Sequence, residues 1–156
     1  MIGHAGVSKR IEMKMNIELK VKKLHPEAIL PKFALPGDAG VDLFAVEETT
    51  IEPGQPASLK TGISMEIPNG YVGLIWDKSG LSHKHHLKTV GGVVDSGFRG
   101  EIQIGLINLG KKCYIIEKGD KIAQMVIQKF ERPKIVETVE LSPSKRGDSI
   151  FGSTGR

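Results

Sequence analysis

The sequence predicts an all-β subunit of the sandwich, jelly-roll or barrel kind, and three observations carry that prediction. Short segments with apolar residues at every second position recur along the chain, and turns rich in Gly, Pro and Asn separate them. Many short strands so spaced are the pattern of closed or two-layered β architectures. At 156 residues, the chain has enough Leu, Ile and Val for one core and is short for two domains.

The elements follow in order. Residues 1–15, "MIGHAGVSKRIEMKM", show neither strand nor helix periodicity and are expected to form a flexible extension, a tag or an alternative start. From Asn16, Ile17, Leu19 and Val21 alternate with polar neighbours as in a half-buried strand. Further strands are predicted over 57–68 (ASLKTGISMEIP), 71–76 (YVGLIW), 101–108 (EIQIGLIN), 112–118 (KCYIIEK) and 121–130 (KIAQMVIQKF). The last has i, i+4 apolar spacing that a helix turn would also show, but Gly119 before it and its β-branched residues favour strand. The β domain is thus expected over 16–141. Residues 142–156 form a polar arm that cannot build a core by itself.

Lys and Arg total 22 against 18 Asp and Glu, a net charge of +4 spread thinly along the chain. That biases the protein mildly toward anionic partners, phosphate-bearing small molecules included. Five Phe, two Tyr and one Trp give no interleaving of basic and aromatic residues, so a nucleic-acid partner is not expected. A lone cysteine, Cys113, excludes an internal disulfide and is expected to pack as a small apolar residue. No apolar run reaches the ~18 residues of a membrane span, and the N-terminus lacks the order of a secretory signal. A soluble, cytoplasmic protein with no membrane partner is expected.

Candidate chemistry sits in the polar stretches. In "GGVVDSGFRGEI" (91–102), two valines between glycines read as one arm of a hairpin, which places Asp95 at a strand end. The carboxylate there is a turn cap, a solvated charge or a general base aimed into a cleft. His83, His85 and His86 in "SHKHH" read as a solvated loop rather than a metal cluster, since no partner ligands recur at site-like spacing. "RGD" at 146–148 also spells a cell-adhesion tripeptide, but nothing else looks extracellular. The tail "SPSKRGDSIFGSTGR" reads as disordered, or as a segment that folds over a ligand with Phe151 stacked on a flat base and its amides on phosphate.

Taken together, "PGDAGVDLFA" (36–45), "DKSGLS" (77–82), "GGVVDSGFRGEI" (91–102), "KGDKIAQMVI" (118–127) and "RGDSIFGSTG" (146–155) resemble, in order and spacing, the five motifs of the trimeric dUTP diphosphatases, the dUTPases. The resemblance covers the chain from about residue 16 to its end. It implies a jelly-roll-like β-clip subunit, a homotrimer, and three sites at subunit interfaces, each closed by a C-terminal arm. It also implies hydrolysis of dUTP to dUMP and diphosphate with Mg²⁺.

Residue by residue, the resemblance gives Asp95 the attacking water and the sugar 3′-hydroxyl, with Phe98 packed on the deoxyribose. The family usually has Tyr at that position, so the stacking face survives here without the phenol. Gly91, Gly92 and their neighbours Thr89 and Val93 form the edge that reads uracil. A backbone amide, carbonyl, amide series matches uracil and mismatches cytosine, at about 1–3 kcal/mol for each buried unpaired polar group. Asp42 is implied to hold waters of an Mg²⁺ riding on the triphosphate, a metal that leans on few carboxylates. Asp38 reads as a turn residue. Ser79, Gly80 and Gln124 match phosphate ligands, as does Lys78 where the family commonly has Arg, which keeps the charge and loses the bidentate fork. In the arm, Phe151 matches the ring over uracil, and Arg146, Gly152, Ser153 and Thr154 match the phosphate contacts. Ser149 and Ile150 stand where the family often has Gly-Gly. An ordinary Asp, with pKa about 3.9, is a weak base at neutral pH, so most of the barrier must fall to charge stabilisation of the triphosphate.

Two alternatives are weighed. A dCTP deaminase is similar in fold and in this third motif, but needs a glutamate about ten residues after the Asp, where this chain has Gly105. A catalytically silent, nucleotide-sensing trimer would be expected to lose Asp95 or Asp42, and both are present.

Overall fold

The computed structural model describes residues 17–144 and Gly147. Its strands are β1 (Lys20–Lys23), β2 (Gly40–Phe44), β3 (Thr49–Ile51), β4 (Pro56–Glu66), β5 (Tyr71–Asp77), β6 (Leu87–Val90), β7 (Val93–Val94), β8 (Glu101–Asn108), β9 (Tyr114–Ile116) and β10 (Lys121–Lys129). One helix, α1 (Ser79–His85), interrupts them. They pair as two four-stranded sheets, β1-β4-β8-β6 and β2-β10-β5-β7, with β3-β9 as a short ribbon. The expected all-β, jelly-roll-like β-clip fold is the one adopted.

The strict alternation in β8 sets the core. Ile102, Ile104 and Leu106 point inward and are buried, and Asn108 continues the same face. They join Leu59, Ile63 and Met65 of β4, Val41 and Leu43 of β2, and Ile122, Ala123 and Met125 of β10 in one apolar cluster that both sheets share. Asn108, 1% exposed, is the polar pin at its end. Its amide donates to the carbonyls of Ile51 (2.9 Å) and Lys112 (2.8 Å), and its oxygen accepts from the Gly110 amide (2.8 Å).

Three expectations are corrected. "SHKHH" is not a loop. Ser79–His85 coil into α1, which buries none of its residues and ends where His86 takes the left-handed conformation at φ 58° and donates its amide to the last turn. Cys113 does not pack inward. It is exposed in the β8–β9 connection, where the Asn108 bonds to Gly110 and Lys112 fix the backbone around it. The valines after Gly91 and Gly92 are not one arm of a local hairpin. β6 pairs with β8 in one sheet, β7 pairs with β5 in the other, and the glycine pair is the corner between the sheets. Gly92, at φ +148°, brings its backbone against β5: its carbonyl accepts from the Ile75 amide (2.8 Å), and a Cβ there would stand 2.9 Å from the Ile75 oxygen.

No helix among the described residues is long and apolar enough to cross a membrane. Asn108→Ala strips three hydrogen bonds from a buried pin and should destabilise the fold by about 2–3 kcal/mol, read as a lower urea midpoint with an unchanged slope. A midpoint equal to that of the parent would remove Asn108 from this role.

Candidate active site

β10 lies between β2 and β5, and its register sets one end of the site. Gln124 stands opposite Asp42 of β2 on one side and Trp76 of β5 on the other. The Gln124 side chain is fixed by its amide donating to the Asp77 carbonyl (2.9 Å). Beyond Asp77 the chain enters Lys78, at the start of α1, and then Ser79. Asp38, Gly40, Trp76, Lys78, Ser79 and Gln124 line one open cleft of about 480 Å³. Asp38 also closes the turn expected of it, its carboxylate accepting from the Leu35 amide (2.9 Å).

Asp42 is 2% exposed and lies between two cations. Lys78 Nζ approaches its Oδ1 at 2.5 Å, and Lys121 Nζ stands 2.8 Å from its Oδ2. The second contact is an ion pair without hydrogen-bond direction, so Oδ2 is left with no directed donor. Burial alone would raise the Asp42 carboxyl, but the Lys121 and Lys78 ammoniums outweigh it and hold it below the usual carboxylate range. Two ammoniums against one carboxylate leave a local positive charge, suited to phosphate.

The second half of the candidate site lies elsewhere on the chain. Val93, Asp95 and Phe98 line a cleft of about 420 Å³ with Val94, Glu101, Ile102 and Gln103. Asp95 directly follows β7, at the strand end expected of it, and its carbonyl accepts from the Phe98 amide (3.1 Å) across a tight turn. The Phe98 ring, 46% exposed, lies so close over Gly100 that a Cβ there would meet it at 2.6 Å. Thr89, Gly91, Gly92 and Val93 line a third recess together with Trp76 and Lys88. Trp76, 55% exposed, borders both this recess and the cleft around Lys78.

The sequence-predicted residues therefore fall into separate groups. Lys78, Ser79 and Gln124 come together beside Asp42, whereas Asp95 and Phe98 line another cleft. Gly80, inside α1, has open space where a Cβ would go. Arg146, Phe151, Gly152, Ser153 and Thr154 lie outside the described residues. Reading the sequence missed Lys121 as the second partner of Asp42, Trp76 as the shared wall, and Asp77. Each sits in or beside a quoted motif, and only the register of β10 reveals its place.

Comparison with known proteins gives these clefts a context. The dUTPase family model matches residues 26–155. The chain is 43% identical to the deoxyuridine 5′-triphosphate nucleotidohydrolase of Thermobifida fusca over 157 residues, 99% of this chain and 88% of that protein. It is 48% identical to the enzyme of that name from Clostridium acetobutylicum, over 89% of this chain and 97% of that one. Among solved structures, a mutant Staphylococcus bacteriophage 80alpha dUTPase with dUpNHpp superposes with a TM-score of 0.84 at 34% identity, covering 89% of this chain and 99% of that one. A mutant dUTPase from phage phi11 of S. aureus, described for its coordination of a structural Mg(II) ion, does so with a TM-score of 0.75 at 31% identity, covering 80% and 98%.

The folded chain holds the Asp42 carboxyl low, so the stability it contributes is complete above the unfolded carboxylate pKa of about 3.9 and is lost as pH falls through the lower folded value. Asp42→Asn should cost about 1–2 kcal/mol at pH 7, less than a fully sealed ion pair because both lysines reach water. Unfolding measured against pH should show that difference shrinking on the acid side. A difference independent of pH would contradict the electrostatic account.

Proposed function

This chain belongs to the dUTPase family, and we propose that its separate clefts are complementary halves of sites completed by neighbouring copies in a homotrimer. The chain hydrolyses dUTP to dUMP and diphosphate. Its role is to limit uracil incorporation into DNA and to supply dUMP for dTMP synthesis. One observation supports the shared site above the others: the carboxylate assigned to activate water and the residues assigned to hold phosphate line different clefts of one chain. A second copy brings the two halves together.

In this reading Asp95 accepts a proton from the attacking water. The water oxygen bonds to the α-phosphorus, the bond from that phosphorus to the bridging oxygen breaks, and diphosphate leaves. The Gly91–Gly92 corner with Thr89 and Val93 reads the uracil edge, and Phe98 packs against the sugar. Lys78, Ser79, Gly80 and Gln124 hold the phosphates. Phe151 stacks on the base, while Arg146, Gly152, Ser153 and Thr154 hold the distal phosphates.

The dUTPase family uses a divalent metal, and the residues present suit Mg²⁺. The Asp42 Oδ2 lone pair has no directed donor, and no three His, Cys, Asp or Glu side chains cluster among the described residues. That donor set suits an ion carried on the substrate, with Asp42 reaching it through water, better than a protein cage. Such an ion neutralises charge on the triphosphate oxygens. Position 105 also disfavours deamination: a Cβ on Gly105 would stand 2.8 Å from the Val90 oxygen, so no glutamate fits there without a shift.

With Mg²⁺ and dUTP the protein should release dUMP and diphosphate, and with dCTP no ammonia. Asp95→Asn should lower turnover by roughly 10²–10⁴-fold while leaving binding of a non-hydrolysable dUTP analogue nearly intact. Undiminished turnover would take Asp95 out of its role.

Removal of residues 146–156 should leave the melting temperature little changed and activity collapsed. Phe151→Ala alone should lose about ten- to a hundredfold in kcat/KM. A truncated protein with parental rates would show that the tail takes no part.

A further inference from the structure

Asp77 ends β5, one residue before Lys78, and its side chain points not along its own sheet but across to the other. Oδ1 accepts from the Thr89 amide (2.8 Å) and from the Thr89 hydroxyl (2.7 Å), and Oδ2 receives the Lys88 ammonium at 2.8 Å. Thr89 and Lys88 belong to β6, the edge strand of the β1-β4-β8-β6 sheet. The Thr89 amide therefore has no strand on that side to donate to, and the Asp77 carboxylate takes the place of one. Burial pushes the Asp77 carboxyl up, but Lys88 and the two Thr89 donors outweigh it and keep it below the usual carboxylate range. Ionised, it makes charge-assisted bonds, the stronger kind. Its main chain holds the other half of the site, because the Asp77 carbonyl is the acceptor that fixes the Gln124 amide.

We infer that Asp77 is a positioning residue that locks the base-reading corner at Gly91–Gly92 to the phosphate-holding end of β5, and so sets base discrimination without touching the nucleotide. This rests on the dUTP reading above. Thr89 stands two residues before Gly91, and past the glycines the corner is tied to β5 by the Ile75 amide to the Gly92 carbonyl and by the pairing of β7 with β5. With the carboxylate gone, β6 keeps its ladder to β8, but its outer edge loses the Thr89 and Lys88 bonds that tie it to the end of β5. The Thr89 side of the corner then shifts against its Gly92 side, and the backbone groups that pair with uracil lose their mutual spacing. Misplacement on the order of 1 Å is enough to cost binding groups much of their effect.

The test compares Asp77→Ala, Asp77→Asn and Asp77→Glu in the full-length protein. Asparagine keeps an acceptor oxygen for Thr89, and glutamate keeps the charge but moves the acceptor by a methylene. Alanine and glutamate should raise KM for dUTP and narrow the preference for dUTP over dCTP by about tenfold or more, with kcat less affected. Asparagine should restore most of that preference. Should the alanine variant fail to fold, the glutamate and asparagine pair carries the same comparison. Exchange of the Thr89 amide in the nucleotide-free protein should speed up at least tenfold in the alanine or glutamate variant and stay slow with asparagine. That readout needs no substrate, so it stands even if the parent protein leaves dUTP untouched, an outcome that would sink the dUTP reading alone. Parental KM and base preference in the alanine and glutamate variants, or an asparagine variant as impaired as they are, would overturn the positioning role.

Discussion

The register of β10 between β2 and β5 is the constraint on which the rest of the phosphate end depends. It sets Gln124 opposite both Asp42 and Trp76, so one row across three strands delivers an acid, an amide and an indole to one place. A slip by one residue would turn Gln124 into the core and a buried apolar neighbour, Ala123 or Met125, out to the cleft. The apolar positions of β10 thus enforce the geometry of its polar one. Hydrophobic burial specifies the site by specifying the register.

Electrostatics then adjusts what packing has placed. Asp42 is buried by the sheet, a location that disfavours its charge, and it stays ionised because Lys78 and Lys121 converge on it. Lys121 comes from the first residue of β10, the strand next to β2, and Lys78 from the residue that follows β5, one strand further across the sheet. The cluster carries a surplus positive charge toward a cleft that also holds Ser79 and Gln124. The Lys78 ammonium spends one of its three hydrogens on Asp42, which leaves two for phosphate oxygens, without the planar fork of an arginine.

What the sequence made legible follows the same division. β8 is read over 101–108 with no error at either end, because Ile102, Ile104 and Leu106 alternate strictly with outward residues. β2 escaped notice because four of its five residues, Val41 to Phe44, are buried, so it has no period of two to find. α1 escaped because none of its residues is buried and hence it has no apolar stripe. The five polar stretches were legible as motifs, and Asp42, Lys78, Ser79 and Gln124 do converge. Lys121 and Asp77 were not assigned, since their partners are set by strand pairing across the sheets and not by spacing along the chain. The glycine pair at 91–92 was recognised as special for the right reason, backbone approach, and given the wrong partner, since β5 and not a neighbouring arm receives it.

The central claim is that the water-activating and phosphate-holding halves meet only between copies. Subunit complementation tests it most directly: Asp95→Asn is unfolded and refolded together with a Ser79→Ala, Gln124→Ala double variant, each nearly inactive alone. If each site draws its halves from different copies, about one quarter of the sites in randomly mixed trimers carry neither defect, and dUTP turnover should reappear at about that fraction of the parental rate. Mixed assemblies, verified by mass, that are no more active than either variant alone would contradict it.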